Sequence, residues 1–149
     1  MATNIYDKLR AGVVTSSAAE TQTLAGELAA ALPADIVLAL HGNLGVGKTT
    51  FVQGLARGFG LTEPITSPTF TIFTLHRGKG PSARTLIHLD AYRLEHANQL
   101  DDLMLEDFLT PPYCLAVEWP ENVAAWLPPQ TLHFELGIMP DERHTLRLR

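Results

Sequence analysis

The residues with the most definite chemistry lie between positions 42 and 49. Gly42, Asn43, Leu44, Gly45, Val46, Gly47, Lys48 and Thr49 match the spacing G-x-x-x-x-G-K-[ST] in full. Glycines at those positions let the chain curl until successive N–H groups converge on phosphate oxygens. A helix opening at Lys48 adds the positive end of its dipole to the same place. The Lys48 ammonium suits β- and γ-phosphates, and the Thr49 hydroxyl suits Mg²⁺. A chance glycine-rich turn is the plain alternative. A buried strand before the motif and an amphipathic helix after it favour a nucleotide-binding loop that continues to Thr50.

Binding phosphate is not yet chemistry on it. Hydrolysis or transfer also needs an acid near the metal and a group that positions the nucleophile. Such an acid belongs at the end of a neighbouring apolar strand. Leu86-Ile-His-Leu-Asp90 and Leu115-Ala-Val-Glu118 both end that way. Asp90 and Glu118 are therefore the candidate catalytic acids beside Lys48, and with Thr49 the candidate metal ligands. Direct metal contact, contact through water and holding the attacking water stay open as roles for either acid. Thr66-Ser67-Pro68-Thr69 sits where many nucleotide hydrolases keep a loop that senses the γ-phosphate. An ordinary turn set by Pro68 is the other reading of that loop.

These residues must be positioned by elements, and the sequence marks most of them. Ser17-Ala-Ala-Glu20 is a capping box opening a helix over residues 17–32, after a short strand over 12–15. Residues 35–40 read as a strand covered on both faces. A helix follows from Lys48 to about Arg57. Residues 70–75 and 85–89 read as two strands joined by a turn-rich link, hence a hairpin. Apolar spacing at Leu100, Leu103, Met104 and Phe108 predicts one helix over 98–109. Residues 113–117 read as a further buried strand and 123–127 as a short helix. Residues 132–138 and 145–149 read as an antiparallel pair. The expected class is α/β: a P-loop NTPase-like mixed, mostly parallel sheet flanked by helices, with an antiparallel hairpin, as one domain over residues 1–149.

Composition agrees with that picture. The chain has 149 residues, 46% of them hydrophobic and 18% charged, which is globular and argues against disorder. No apolar run approaches the roughly 20 residues that span a bilayer. The single cysteine, Cys114, excludes an internal disulfide and fits a reducing cytoplasm. A net charge of −5 argues against a broad nucleic-acid surface, DNA included. The acid is concentrated: between Asp90 and Glu121 eight acidic residues face Arg93 alone, so that segment carries −7 and the remainder +2. The six histidines show no metal-ligand spacing. His88 is the only one within a motif, and its plain reading is structural.

The motifs, taken in order, resemble one family. The loop 42–50, Ser67-Pro-Thr-Phe70, His88-Leu-Asp-Ala-Tyr-Arg-Leu94 and Val117-Glu-Trp-Pro-Glu121 are similar to those of the bacterial TsaE proteins, formerly called YjeE. The resemblance runs from about Thr15 to the C-terminus. It implies a weak, Mg²⁺-dependent ATPase required for threonylcarbamoyl-adenosine formation in tRNA. It implies that this ATPase acts on a complex of TsaD and TsaB, resets it between cycles, and reaches tRNA only through those partners. It also implies that Asp90 and Glu118 are the essential acids, that Trp119 lies near the nucleotide, and that Thr66 and Ser67 belong to a switch loop. Thr15, Ser17 and Thr21 become candidates near the adenine. A longer link over residues 77–84 is the main departure. Two other functions compete. A small-molecule P-loop kinase would want an arginine-bearing lid, and the only candidate link reads as a hairpin turn. A GTP switch would want an Asn-Lys-x-Asp loop, which the chain lacks.

Overall fold

The computed structural model describes residues 4–43, 45–61, 72–78 and 84–149. Seven strands form one sheet: β1 (Val13–Thr15), β2 (Ile36–His41), β3 (Phe73–Arg77), β4 (Thr85–Asp90), β5 (Tyr113–Glu118), β6 (Leu132–Ile138) and β7 (His144–Leu148). Their order across the sheet is β1-β7-β6-β2-β5-β4-β3. The four central strands β6, β2, β5 and β4 run parallel. Antiparallel strands finish both sides, β3 on β4 at one and β7 then β1 at the other. The mixed sheet and the hairpin agree with the expected class.

Period-two alternation divides the side chains between two layers. Ile36, Leu38 and Leu40 of β2, with Cys114 and Ala116 of β5, pack on one face. Val37, Leu115 and Val117 pack on the other. Burial of Cys114 pushes its thiol up to about 12, so it is an inert core group.

The first face is covered by three helices, α1 (Ile5–Ala11), α2 (Ala18–Ala31) and α3 (Lys48–Gly58). The cap of α2 forms as its residues dictate. Ser17 Oγ accepts from the Glu20 N–H at 3.1 Å, and Glu20 Oε2 accepts from the Ser16 N–H at 2.6 Å. The return bond reaches one residue upstream of the cap. Helix α3 meets α2 through Gly54 and Gly58, one turn apart. A Cβ at Gly54 would stand 2.6 Å from the Gln22 carbonyl oxygen, and one at Gly58 2.5 Å from Ala29 Cβ. The two backbones are thus in near contact. The short α1, capped by Asn4 and burying Leu9, is absent from the sequence reading.

The second face departs further from expectation. The single helix predicted over 98–109 is two pieces, α4 (Gln99–Asp102) and a 3₁₀ turn at Leu105–Phe108, separated by Met104 at φ 55°. Leu100 and Leu105 are the buried pair, whereas Met104 is 61% exposed. A continuous helix would put Asp102 and Glu106 four residues apart with no cation in the segment to offset them. The short helix predicted over 123–127 is instead a 3₁₀ turn at Pro120–Val123. Pro120 starts it immediately after Trp119 turns left-handed at φ 57°. The strand predicted over 70–75 is shifted to Phe73–Arg77; residues 70 and 71 lie outside the described residues. No helix among the described residues is long and apolar enough to cross a membrane.

Candidate functional site

The C-terminal ends of β2, β4 and β5 come together at one edge of the sheet. Parallel pairing sets Leu40 beside Glu118 and Asp90 beside Glu118. Both acids carry the parity of Cys114, Ala116 and Leu86, so they belong to the face covered by α3. Two acids 28 positions apart in sequence thereby become neighbours at the start of the helix that follows the glycine-rich loop.

That loop is shaped by close approach. A Cβ at Gly42 would lie 2.6 Å from the Leu136 carbonyl oxygen and 2.7 Å from Val46 Cγ2. Gly47 caps α3 at φ 97°, a conformation costly for any residue with a Cβ. The first N–H groups of α3 have no acceptor within the helix and point out of its start. There a cavity of about 400 Å³ opens, lined by Gly45, Gly47, Lys48, Thr49, Thr50, Glu118 and His144.

Lys48 is 4% exposed. Its Nζ donates to the Gly42 carbonyl at 2.8 Å, stands 3.9 Å from Glu118 Oε1 and lies 4.3 Å from the centre of the Trp119 ring. Burial lowers the affinity of this amine for its proton, and the negative charges of Glu118, Asp90 and Glu121 oppose that effect. The Tyr92 ring lies tilted against Trp119 at 55°, ring centres 5.1 Å apart. Asp90 is half-buried, and its Oδ1 accepts from the Tyr92 N–H at 3.0 Å. Glu118 is almost fully buried, and its second oxygen, Oε2, is bound by His88 Nε2.

The residues singled out from sequence fall into four groups. Gly42, Glu118 and Trp119 each contact Lys48; Gly45, Gly47, Thr49 and Thr50 line the cavity with Lys48 and Glu118, and Asp90 adjoins it through the strand register. Asn43 is exposed, and Val46 is buried with its carbonyl turned to His144. Leu44, Thr66 and Ser67 lie outside the described residues. Of the adenine candidates, Thr15 and Thr21 bond each other at 2.6 Å and Ser17 caps α2.

Two contributors were not legible in the sequence as site residues. His144, at the start of β7, comes 98 positions after Val46 and places Nδ1 3.1 Å from its carbonyl oxygen. A carbonyl only accepts, so Nδ1 carries a proton in this contact. No local motif signals such a contact. His88 is the other, and its location two residues before Asp90 was the available signal. On the opposite face His41 and His133 stack, with ring nitrogens 2.9 Å apart and Glu121 3.9 Å from His41. Among the described residues no group of three or more His, Cys, Asp or Glu side chains is placed to hold a metal ion.

The similarity of the chain to known proteins agrees with this geometry. Residues 15–145 match the family model described as threonylcarbamoyl adenosine biosynthesis protein TsaE. The chain is 36% identical over 128 residues to the tRNA threonylcarbamoyladenosine biosynthesis protein TsaE of Treponema pallidum, covering 86% of this chain and 92% of that protein. It is also 36% identical over 128 residues to the protein of that name from Bacillus subtilis, covering 85% and 77%. Its fold superposes on the crystal structure of Bacillus subtilis YdiB with a TM-score of 0.72 and 32% identity, over 91% of this chain and 81% of that one. A match this long, with the loop, both acids and Trp119 inside it, leaves one conclusion: the chain belongs to the TsaE family of tRNA threonylcarbamoyladenosine biosynthesis proteins.

Proposed function

We propose that this chain is an Mg²⁺-dependent ATPase, weak alone, that acts on a complex of TsaD and TsaB and resets it between rounds of tRNA threonylcarbamoylation. The observation that carries the reading is the meeting of Lys48 and Glu118 at the open start of α3. A cavity of about 400 Å³ with an ammonium, a hydroxyl and a carboxylate on its wall has the donor set that a nucleotide phosphate and a divalent cation require. Lys48 and the loop N–H groups would hold the β- and γ-phosphates. Thr49, with Glu118 or Asp90, would hold Mg²⁺. When bound, that ion supplies positive charge against the charge developing on the transferred phosphoryl group.

The protein's own part is positioning and electrostatics. Lys48, now bonded to the Gly42 carbonyl, is a buried cation already at the loop. Glu118 offers Oε1 toward the same space, suited to orient a water or the metal. Trp119 covers Lys48 from the side with its aromatic ring, and Tyr92 lies against Trp119. An acidic chain fits a role in which tRNA is reached through partner proteins.

The test is ATP turnover measured three ways: alone, with small acceptors such as nucleosides and sugars, and with purified TsaB and TsaD. The expected result is stimulation by the partner pair, with Lys48→Ala and Glu118→Ala each losing about 100-fold or more of it. Phosphate transfer to a small acceptor without partners would instead establish a kinase.

A further inference from the structure

The second oxygen of Glu118 is held from below by a residue that no part of the proposed mechanism yet uses. His88 lies in the middle of β4 and is fully buried. Parallel pairing sets it beside Ala116 and Asp90 beside Glu118, so His88 is one step down the same face from the two acids. Its Nε2 bonds Glu118 Oε2. The other ring nitrogen, Nδ1, is buried with no hydrogen-bond partner among the described residues. The contact with Glu118 is therefore the only hydrogen bond of this ring found there.

An imidazole is a poor choice for filling space at such a position. Burying a polar atom without a partner carries a desolvation cost that leucine or phenylalanine would avoid. The ring accepts that cost at Nδ1 while using Nε2 on the acid. Glu118 as a carboxylate only accepts hydrogen bonds, and Lys48 Nζ stands 3.9 Å from its Oε1. The proton of the His88–Glu118 bond thus resides on Nε2. Each carboxylate oxygen then has a separate duty. Oε2 is taken by the ring, and Oε1 is the oxygen left toward Lys48 and the cavity.

We propose that His88 is a positioning residue, which clamps Glu118 by Oε2 so that Oε1 alone is presented to the phosphate-loop cavity. This rests on the ATPase reading and deepens it. A free glutamate side chain must be ordered at three torsions before it can act, and a buried N–H on one oxygen fixes the last of them. The role differs from that of Lys48, because His88 reaches the reacting groups only through Glu118.

Two variants separate positioning from packing. His88→Leu fills similar volume and has no N–H. His88→Gln keeps an amide N–H at about the reach of Nε2. Turnover is measured with the TsaB–TsaD pair, and Mg·ADP affinity is read from Trp119 fluorescence in a Trp126→Phe background. In His88→Leu the expected kcat falls roughly 30-fold, with KM and Mg·ADP affinity within about threefold of the parent. In His88→Gln kcat returns to within about threefold of the parent. A folded His88→Leu protein with parental kcat would overturn the proposal. So would a His88→Gln protein as slow as His88→Leu at equal thermal stability, the result expected of a packing role.

Side-chain ¹⁵N NMR of the histidines gives a readout independent of turnover. His88 is expected as the Nε2–H tautomer with a slowly exchanging proton, a signal absent in His88→Gln and displaced in Glu118→Gln. An Nδ1–H tautomer would sink the clamp whatever the kinetics. If the parent protein hydrolyses no ATP under any of these conditions, the ATPase reading falls, and the NMR signal still decides whether His88 holds Glu118.

Discussion

On one face of the sheet, α1, α2 and α3 lie as regular helices over a layer that includes Phe51, Phe134 and Leu38, all fully buried. On the other, the cover is α4, two 3₁₀ turns and the chain between them, with Tyr92, Met104 and Phe108 left partly in solvent. The site draws on both. Its glycine-rich loop and Lys48 come from the regular side, whereas the tilted Tyr92–Trp119 pair comes from the irregular side. Regular helices hold a backbone in place by repeated packing. The irregular cover is held by a few anchors such as Leu100 and Leu105 and by single left-handed residues.

Four comparisons sharpen that contrast. The largest difference is expected between two phenylalanines. Phe51→Ala removes a fully buried ring packed 5.5 Å from Phe134 and should cost about 3–5 kcal/mol in urea unfolding. Phe108→Ala removes a ring 36% exposed beside Phe73 and should cost about 1 kcal/mol. Equal losses would break the distinction between the faces.

Gly54→Ala comes next. In an open helix this change stabilises by up to about 1 kcal/mol, but here the added Cβ meets the Gln22 backbone. A loss of about 1–3 kcal/mol is expected, and a gain would show that α2 and α3 have room to separate. Met104→Gly probes the irregular side with the opposite sign. Met104 is exposed at φ 55°, so glycine should leave stability unchanged or raise it by up to about 1 kcal/mol.

The smallest effect is one of pH. His41 and His133, on the side away from α2, hold their protons less readily than the ordinary value of 6.5. Burial is the main cause for each, and Arg149 adds to it. As pH falls below 6.5 the unfolded chain takes up protons first, so stability present above 6.5 is lost toward the lower folded values. Unfolding midpoints of the His41→Asn, His133→Asn double variant should therefore fall less between pH 7 and pH 5 than those of the parent.

The legibility of the sequence follows the same division. The loop 42–49 is contiguous, and its chemistry fixes both residue type and spacing, so it is readable without any fold. Ser17 with Glu20, and the alternation of β2 and β5, are local signals that the packing honours. Apolar spacing over 98–109 predicts one helix, but like charges at Asp102 and Glu106 oppose it and the left-handed turn at Met104 divides it. Left-handed Trp119 and Met104 carry no glycine to announce them. Asp90 and Glu118 could be nominated singly, but their adjacency is a property of strand order and register. His88 and His144 make their contacts at sequence separations of 30 and 98; the motif around His88 marks that residue but not its partner, and nothing local marks His144.

The near contact at Gly54 and Gly58 has a mechanical consequence. An axial slide of α3 by even one residue, about 1.5 Å, would press its backbone into the carbonyl of Gln22 and the methyl of Ala29. Such a helix has little compliance along its axis. The start of α3, where Lys48 and Thr49 sit, is therefore a stationary reference for whatever binds there. On the ATPase reading proposed above, the chain leaving β4 at Asp90 and β5 at Glu118 is, among the described residues, the part of the site not backed by a packed helix. Those exits lead directly into the Tyr92–Trp119 pair and the turn at Pro120–Val123. On that reading, work done at the loop would reach the outside of the molecule through the irregular face, with the helical face as its support.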